Sequence, residues 1–158
     1  MGVFRIAGVV MALWLTTGTA QAHITVWPRQ SDQGAREKYV IRTPNERREA
    51  TVRIEATFPP EVKVTPFEEK PGWRLEIRRN EKGAIVGAVW TGTLPPDHFT
   101  EFSVLATNPR GAAGLTWSFR QTYAGGEVVD WSGPPGAARP APRVELRPAG
   151  PAAAAHRH

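Results

Sequence analysis

The chain has 158 residues, no cysteine, and 20 basic against 15 acidic side chains, for a formal charge of +5. That length supports one domain with its own core, and the lack of cysteine excludes disulfide staples and thiolate ligands, so a bound metal must be held by nitrogen and oxygen. The charge is not a nucleic-acid footprint: Arg5 precedes the domain and Arg139, Arg143, Arg147 and Arg157 follow it with Glu145 alone, leaving 15 basic and 14 acidic residues that alternate in sign, as in Arg74-Leu75-Glu76-Ile77-Arg78, the pattern of a solvated strand face.

Residues 1–22 read as a secretory signal peptide. Arg5 gives a positive start, residues 6–15 an apolar run too short to span a bilayer, and Ala20-Gln21-Ala22 a small-x-small cleavage site. Cleavage after Ala22 makes His23 the mature N-terminus of an exported protein. No later stretch is long and apolar enough for a membrane helix.

From His23 onward the apolar residues alternate with period two, and none holds a helical period for three turns. Residues 23–27 form a first strand stopped by Pro28. Residues 30–36 are polar and read as a connection, followed by a strand over 38–42 that ends at Pro44. A strand over 51–58 stops at Pro59-Pro60, 62–64 is a short edge strand, and 73–79 turns through Asn80-Glu81-Lys82-Gly83 into 84–91. Residues 94–98 form a loop containing His98, 99–107 a strand, and 115–123 the longest strand. It turns at Ala124-Gly125-Gly126 into 127–131.

Short strands at this spacing predict an all-β antiparallel β-sandwich of immunoglobulin-like or cupredoxin-like type. Its expected core is Val40, Val52, Ile54, Leu75, Ile77, Val104, Leu115, Trp117 and Phe119. The domain is expected over residues 23–133. Residues 134–158, rich in Pro, Ala, Gly and Arg, are expected to be a disordered tail.

A mature N-terminal histidine offers its α-amine and its own Nδ1, which can close a chelate ring on one metal. An antiparallel pairing of the first two strands, with Pro28 near Lys38, brings His23 to Pro44-Asn45-Glu46 and so to a carboxylate. Amine, imidazole and carboxylate form an N,N,O set that suits tetragonal Cu(II) better than Zn(II) or a hard cation. The alternative for His23 is that it merely happens to come first, and for Glu46 that it is a solvated turn residue paired with Arg47 or Arg48. The hairpin at Gly125 returns Trp131 beside Phe119, at an end of the sandwich that the sequence does not specify.

In chain order, Ala22-His23-Ile24-Thr25-Val26 followed by Pro28, then Pro44-Asn45-Glu46-Arg47, Pro71-Gly72-Trp73, Val89-Trp90-Thr91-Gly92, Phe99-Thr100-Glu101-Phe102, and Gln121-Thr122-Tyr123 through Gly126 to Val129-Asp130-Trp131 together resemble the YcnI-like family, also called the DUF1775 copper-binding domain. Each motif alone is weak, but their order and spacing are specific. The resemblance implies an exported bacterial protein of copper homeostasis binding Cu(II) in a monohistidine brace, as a carrier or chaperone, and an enzyme is not expected. By matching motif, His23 supplies amine and imidazole, Glu46 the carboxylate and Trp131 a nearby indole. Glu55, one strand on, is the second choice for the carboxylate. The implied partners are the copper ion and other copper-handling proteins of the envelope. The resemblance also implies that many relatives end in a membrane helix, whereas this chain ends in Ala152-Ala153-Ala154-Ala155-His156-Arg157-His158, so anchoring is not expected.

Two rival classes remain. An oxidative copper enzyme of the polysaccharide monooxygenase type also starts with histidine but needs a second equatorial histidine, which only His98 could supply within the domain. A metal-free interaction module needs neither. No Ser/His/Asp set, phosphate loop or HExxH motif is present, and the terminal His156-Arg157-His158 reads as incidental.

Overall fold

A computed structural model describes residues 23–150. The expected signal peptide and the terminal histidines His156 and His158 lie outside the described residues. Twelve strands run through the described chain without a helix: β1 (Thr25–Trp27), β2 (Gln30–Asp32), β3 (Arg36–Asn45), β4 (Thr51–Thr57), β5 (Lys63–Phe67), β6 (Arg74–Arg79), β7 (Ile85–Leu94), β8 (His98–Thr107), β9 (Gly114–Thr116), β10 (Ser118–Tyr123), β11 (Val128–Trp131) and β12 (Arg143–Arg147). Two sheets, ordered β1-β3-β8-β5 and β11-β10-β4-β7-β6, face each other, and a small third sheet, β2-β12-β9, adjoins them. All pairs are antiparallel except β12 with β2. The fold is therefore the all-β sandwich that the alternation predicts.

The core follows the inward face of each strand. Ile24 and Val26, Tyr39 and Ile41, Ile54 and Ala56, Ala88 and Trp90, Phe102 and Val104, and Phe119 are all buried. Three differences from expectation have local causes. In the run Tyr39-Val40-Ile41 the inward phase belongs to Tyr39 and Ile41, with Val40 half-buried; Tyr39 is tolerated there because its hydroxyl donates to Asn108 Oδ1 at 2.7 Å. On β4 a register shift between Thr51 and Arg53 buries Thr51 and leaves Val52 half-buried. On β6, the edge strand of its sheet, Leu75 is half-buried against the core and Ile77 is exposed.

The tail expectation is corrected over 134–150. Residues 143–147 form β12, which pairs with β2 and β9 and buries Val144 and Leu146. Two apolar residues in alternation were enough to join a sheet whose other strands have three residues each. Its presence also divides the expected 115–123 strand: β9 turns toward β12 and β10 joins β4, with Trp117 buried at the corner, its backbone N–H donating to Pro142 O at 2.9 Å. Gln30–Asp32, expected to be part of a connection, is drawn into the same small sheet as β2.

Candidate metal centre

The edge strands β1 and β11 lie on the same flank of the sandwich, each at the outside of its sheet. Here the imidazole of His23 meets the indole of Trp131, with ring centroids 5.2 Å apart and planes at 67°. His23 is exposed. Trp131 is buried across from Phe119, and its Nε1–H bonds to no protein atom. The hairpin therefore delivers Trp131 to the His23 flank, which the sequence left unspecified.

β1 pairs with β3 as Thr25 with Arg42, Val26 with Ile41 and Trp27 with Val40. This is the expected antiparallel pair, shifted so that Pro28 falls across from Tyr39 instead of Lys38. Continued two residues back, the register sets His23 across from Pro44, the penultimate residue of β3. Glu46 follows directly after β3 and is exposed. Backbone register thus leads Glu46 to the His23 end of β1.

Glu55 is held elsewhere. It lies mid-strand between Arg120 of β10 and Val89 of β7, and its inward neighbours Ile54 and Ala56 place it on the outer face of the sheet. There it accepts from Arg78 at 2.7 Å and pairs with Arg53 at 3.3 Å. Desolvation raises its pKa, but the hydrogen bonds and charges of Arg53 and Arg78 together outweigh this and leave it lowered. The fold does not bring Glu55 to His23. His98 opens β8 instead of lying in a loop, across from Asn45, and its Nδ1 donates to Pro96 O at 2.7 Å. Since β3 separates β1 from β8, His98 and His23 sit on opposite sides of that strand.

Among the described residues no three His, Cys, Asp or Glu side chains are grouped for a metal. A site in which one residue supplies two donors needs only one more side chain, and His23 with Glu46 has that composition. The donor set fits a borderline cation, with an aromatic neighbour whose π system tolerates positive charge. Sequence reasoning carried the residues that shape this corner, Asn45 and Gln121, only as members of family motifs and gave them no role. The available signals were an asparagine at a strand end, where its side chain can bond the backbone two residues on, and a glutamine between Phe119 and Tyr123 on an inward face.

The sequence profile of a domain of unknown function, DUF1775, matches residues 23–146. The chain belongs to the DUF1775 family. The match begins at His23 and includes most of β12. The chain is 29% identical over 128 residues to the copper-binding protein CutI of Bacillus subtilis (strain 168), covering 79% of this chain and 62% of that protein. It thus spans less than two thirds of that relative's length. An uncharacterized protein from Nocardia farcinica with an immunoglobulin-like fold superposes with a TM-score of 0.71 at 30% identity, over 78% of this chain and 97% of the other. A non-cellulosomal cohesin from Archaeoglobus fulgidus has a TM-score of 0.50 at 11% identity, over 86% and 98% of the two chains, and shares the fold alone.

Proposed function

We propose that this DUF1775 protein is an exported copper-binding protein of copper homeostasis that carries one Cu(II) as cargo. In this reading signal peptidase cuts after Ala22, His23 binds through its α-amine and Nδ1, and Glu46 supplies a carboxylate. The observation that carries it is the corner itself: the first residue of the family match has its imidazole against Trp131 and, by β-sheet register, lies across from the strand end that leads to Glu46. The name of the relative CutI supports copper as the metal.

Each group has a distinct task. The amine and imidazole of one residue chelate with little added ordering cost, because the same backbone holds both. The Glu46 carboxylate offsets part of the ion's charge. The Trp131 indole cannot ligate through its protonated nitrogen; it walls off one side of the imidazole and limits water there. A carrier role, as opposed to an oxidative enzyme, is supported by the position of His98 on β8, with β3 between it and β1. The export route and any copper-handling partners in the envelope belong to this proposal as well.

The test compares chains starting at His23 and at Ala22 by calorimetry and electron paramagnetic resonance. The first should take up about one Cu(II) per chain, since it has one start-site chelate. The second should lose the tight site. Equal affinity and identical spectra in the two would reject the amine as a ligand.

A further inference from the structure

Two buried amides clamp the strand end that carries Glu46. Asn45, 1% exposed, donates through Nδ2 to Glu49 O at 2.9 Å and to Leu94 O at 3.1 Å, and its Oδ1 accepts from the Arg47 N–H at 3.0 Å. Its own carbonyl accepts from the Asp97 N–H at 2.9 Å. Gln121, also 1% exposed, reaches across from the other sheet and donates through Nε2 to Pro44 O at 3.0 Å and to Thr51 Oγ1 at 2.8 Å. The backbone is therefore fixed on both sides of Glu46.

The far side of the same turn is tied to the β10–β11 hairpin. Arg47 pairs with Glu127 and stacks its guanidinium 4.9 Å above the Tyr123 ring. The Gly125 N–H donates to Glu49 Oε2 at 3.0 Å, and a Cβ on Gly125 would stand 2.5 Å from that oxygen, so a side chain there would push the carboxylate aside. A solvated turn joining two strands needs none of this, and a buried primary amide is costly unless its bonds are made. Here both amides direct bonds to the residues that bracket one exposed carboxylate.

We propose that Asn45 and Gln121 are positioning residues that hold Glu46 ready beside His23, so that the carboxylate ligand is set before copper arrives. The proposal rests on the copper reading above. A preset ligand binds without first losing the freedom of a loose turn.

The experiment uses the chain starting at His23 and variants Asn45→Ala, Asn45→Ser and Gln121→Ala. Without metal, amide hydrogen exchange should quicken more than tenfold at Arg47 in Asn45→Ala, while the amides of Ile54 and Val104 keep their protection. With metal, Cu(II) affinity should fall about 10- to 100-fold. Asn45→Ser keeps an oxygen for the Arg47 N–H and should recover part of both losses. Gln121→Ala should weaken copper in the same direction, and it carries the test if Asn45→Ala fails to fold.

The deciding readout is a double-mutant cycle. Glu46→Gln should cost its full effect in the parent and less than about twofold in Asn45→Ala, because a carboxylate no longer held has little left to lose. Full cost in both backgrounds, or unchanged exchange at Arg47, overturns the positioning role and leaves the copper reading intact. No effect of Glu46→Gln in the parent overturns both.

Discussion

At the scale of single residues, the two carboxylates considered as ligands occupy opposite environments. Glu55 is spent on Arg53 and Arg78 on the outer face, so Glu55→Gln should leave copper binding unchanged and cost about 1 kcal/mol of stability at neutral pH. Its folded pKa is lowered from 4.5. The stabilisation is therefore present above that value and is lost as pH falls through the lower folded pKa. Urea melts of parent and variant across acid and neutral pH should show a gap that closes as the pH drops below 4.5; a gap that persists in acid would mean that the ion pairs contribute nothing. The candidates His23, Glu46 and Trp131 were marked in the sequence by an expected cleavage site, a strand end and a hairpin, and their roles by the family motifs. The part played by Asn45 and Gln121 was less legible, since beside the local bonds of Asn45 to Arg47 and Glu49 its bond to Leu94 O and those of Gln121 to Pro44 O and Thr51 Oγ1 join strands that meet only in three dimensions.

Among the elements, β12 departs most from what composition suggests. A window dominated by Pro, Ala, Gly and Arg hides Val144 and Leu146, two residues apart, and that alternation is short enough to be lost in the average. Burial shows their weight. Leu146→Ala should cost about 3 kcal/mol and lower Tm by roughly 10 °C, read by calorimetry, whereas Arg143→Ala at an exposed position of the same strand should stay within about 0.5 kcal/mol. Equal, negligible effects would restore the disordered-tail expectation. The strands of the two main sheets were visible in the sequence because prolines and glycines punctuate them and their alternation is sustained. The phase within β3 was not, because three apolar residues in a row give no alternation, and the shift within β4 depends on how it meets β7.

For the whole molecule, the centre spans two sheets: His23 leads into β1 of one, and Trp131 ends β11 of the other. A ligand that binds only this folded arrangement stabilises it by mass action, about 2.7 kcal/mol when free ligand is 100 times Kd. Thermal melts should therefore rise with Cu(II) for the chain starting at His23 and much less for the chain starting at Ala22. A matching rise in both would place the bound metal elsewhere on the surface. The placement of β12 also gives the molecule a polarity. Arg147 pairs with Asp32, and its carbonyl accepts from Gln33 beside the turn into β3, so β12 ends near Arg36 while His23 sits by Pro44, roughly 25 Å away along β3. A purification tag, a fused protein or the linker of a sensor chip joined directly at Arg147 would start from the pole opposite the histidine. The histidine then faces outward, like the tip of a probe held by its handle.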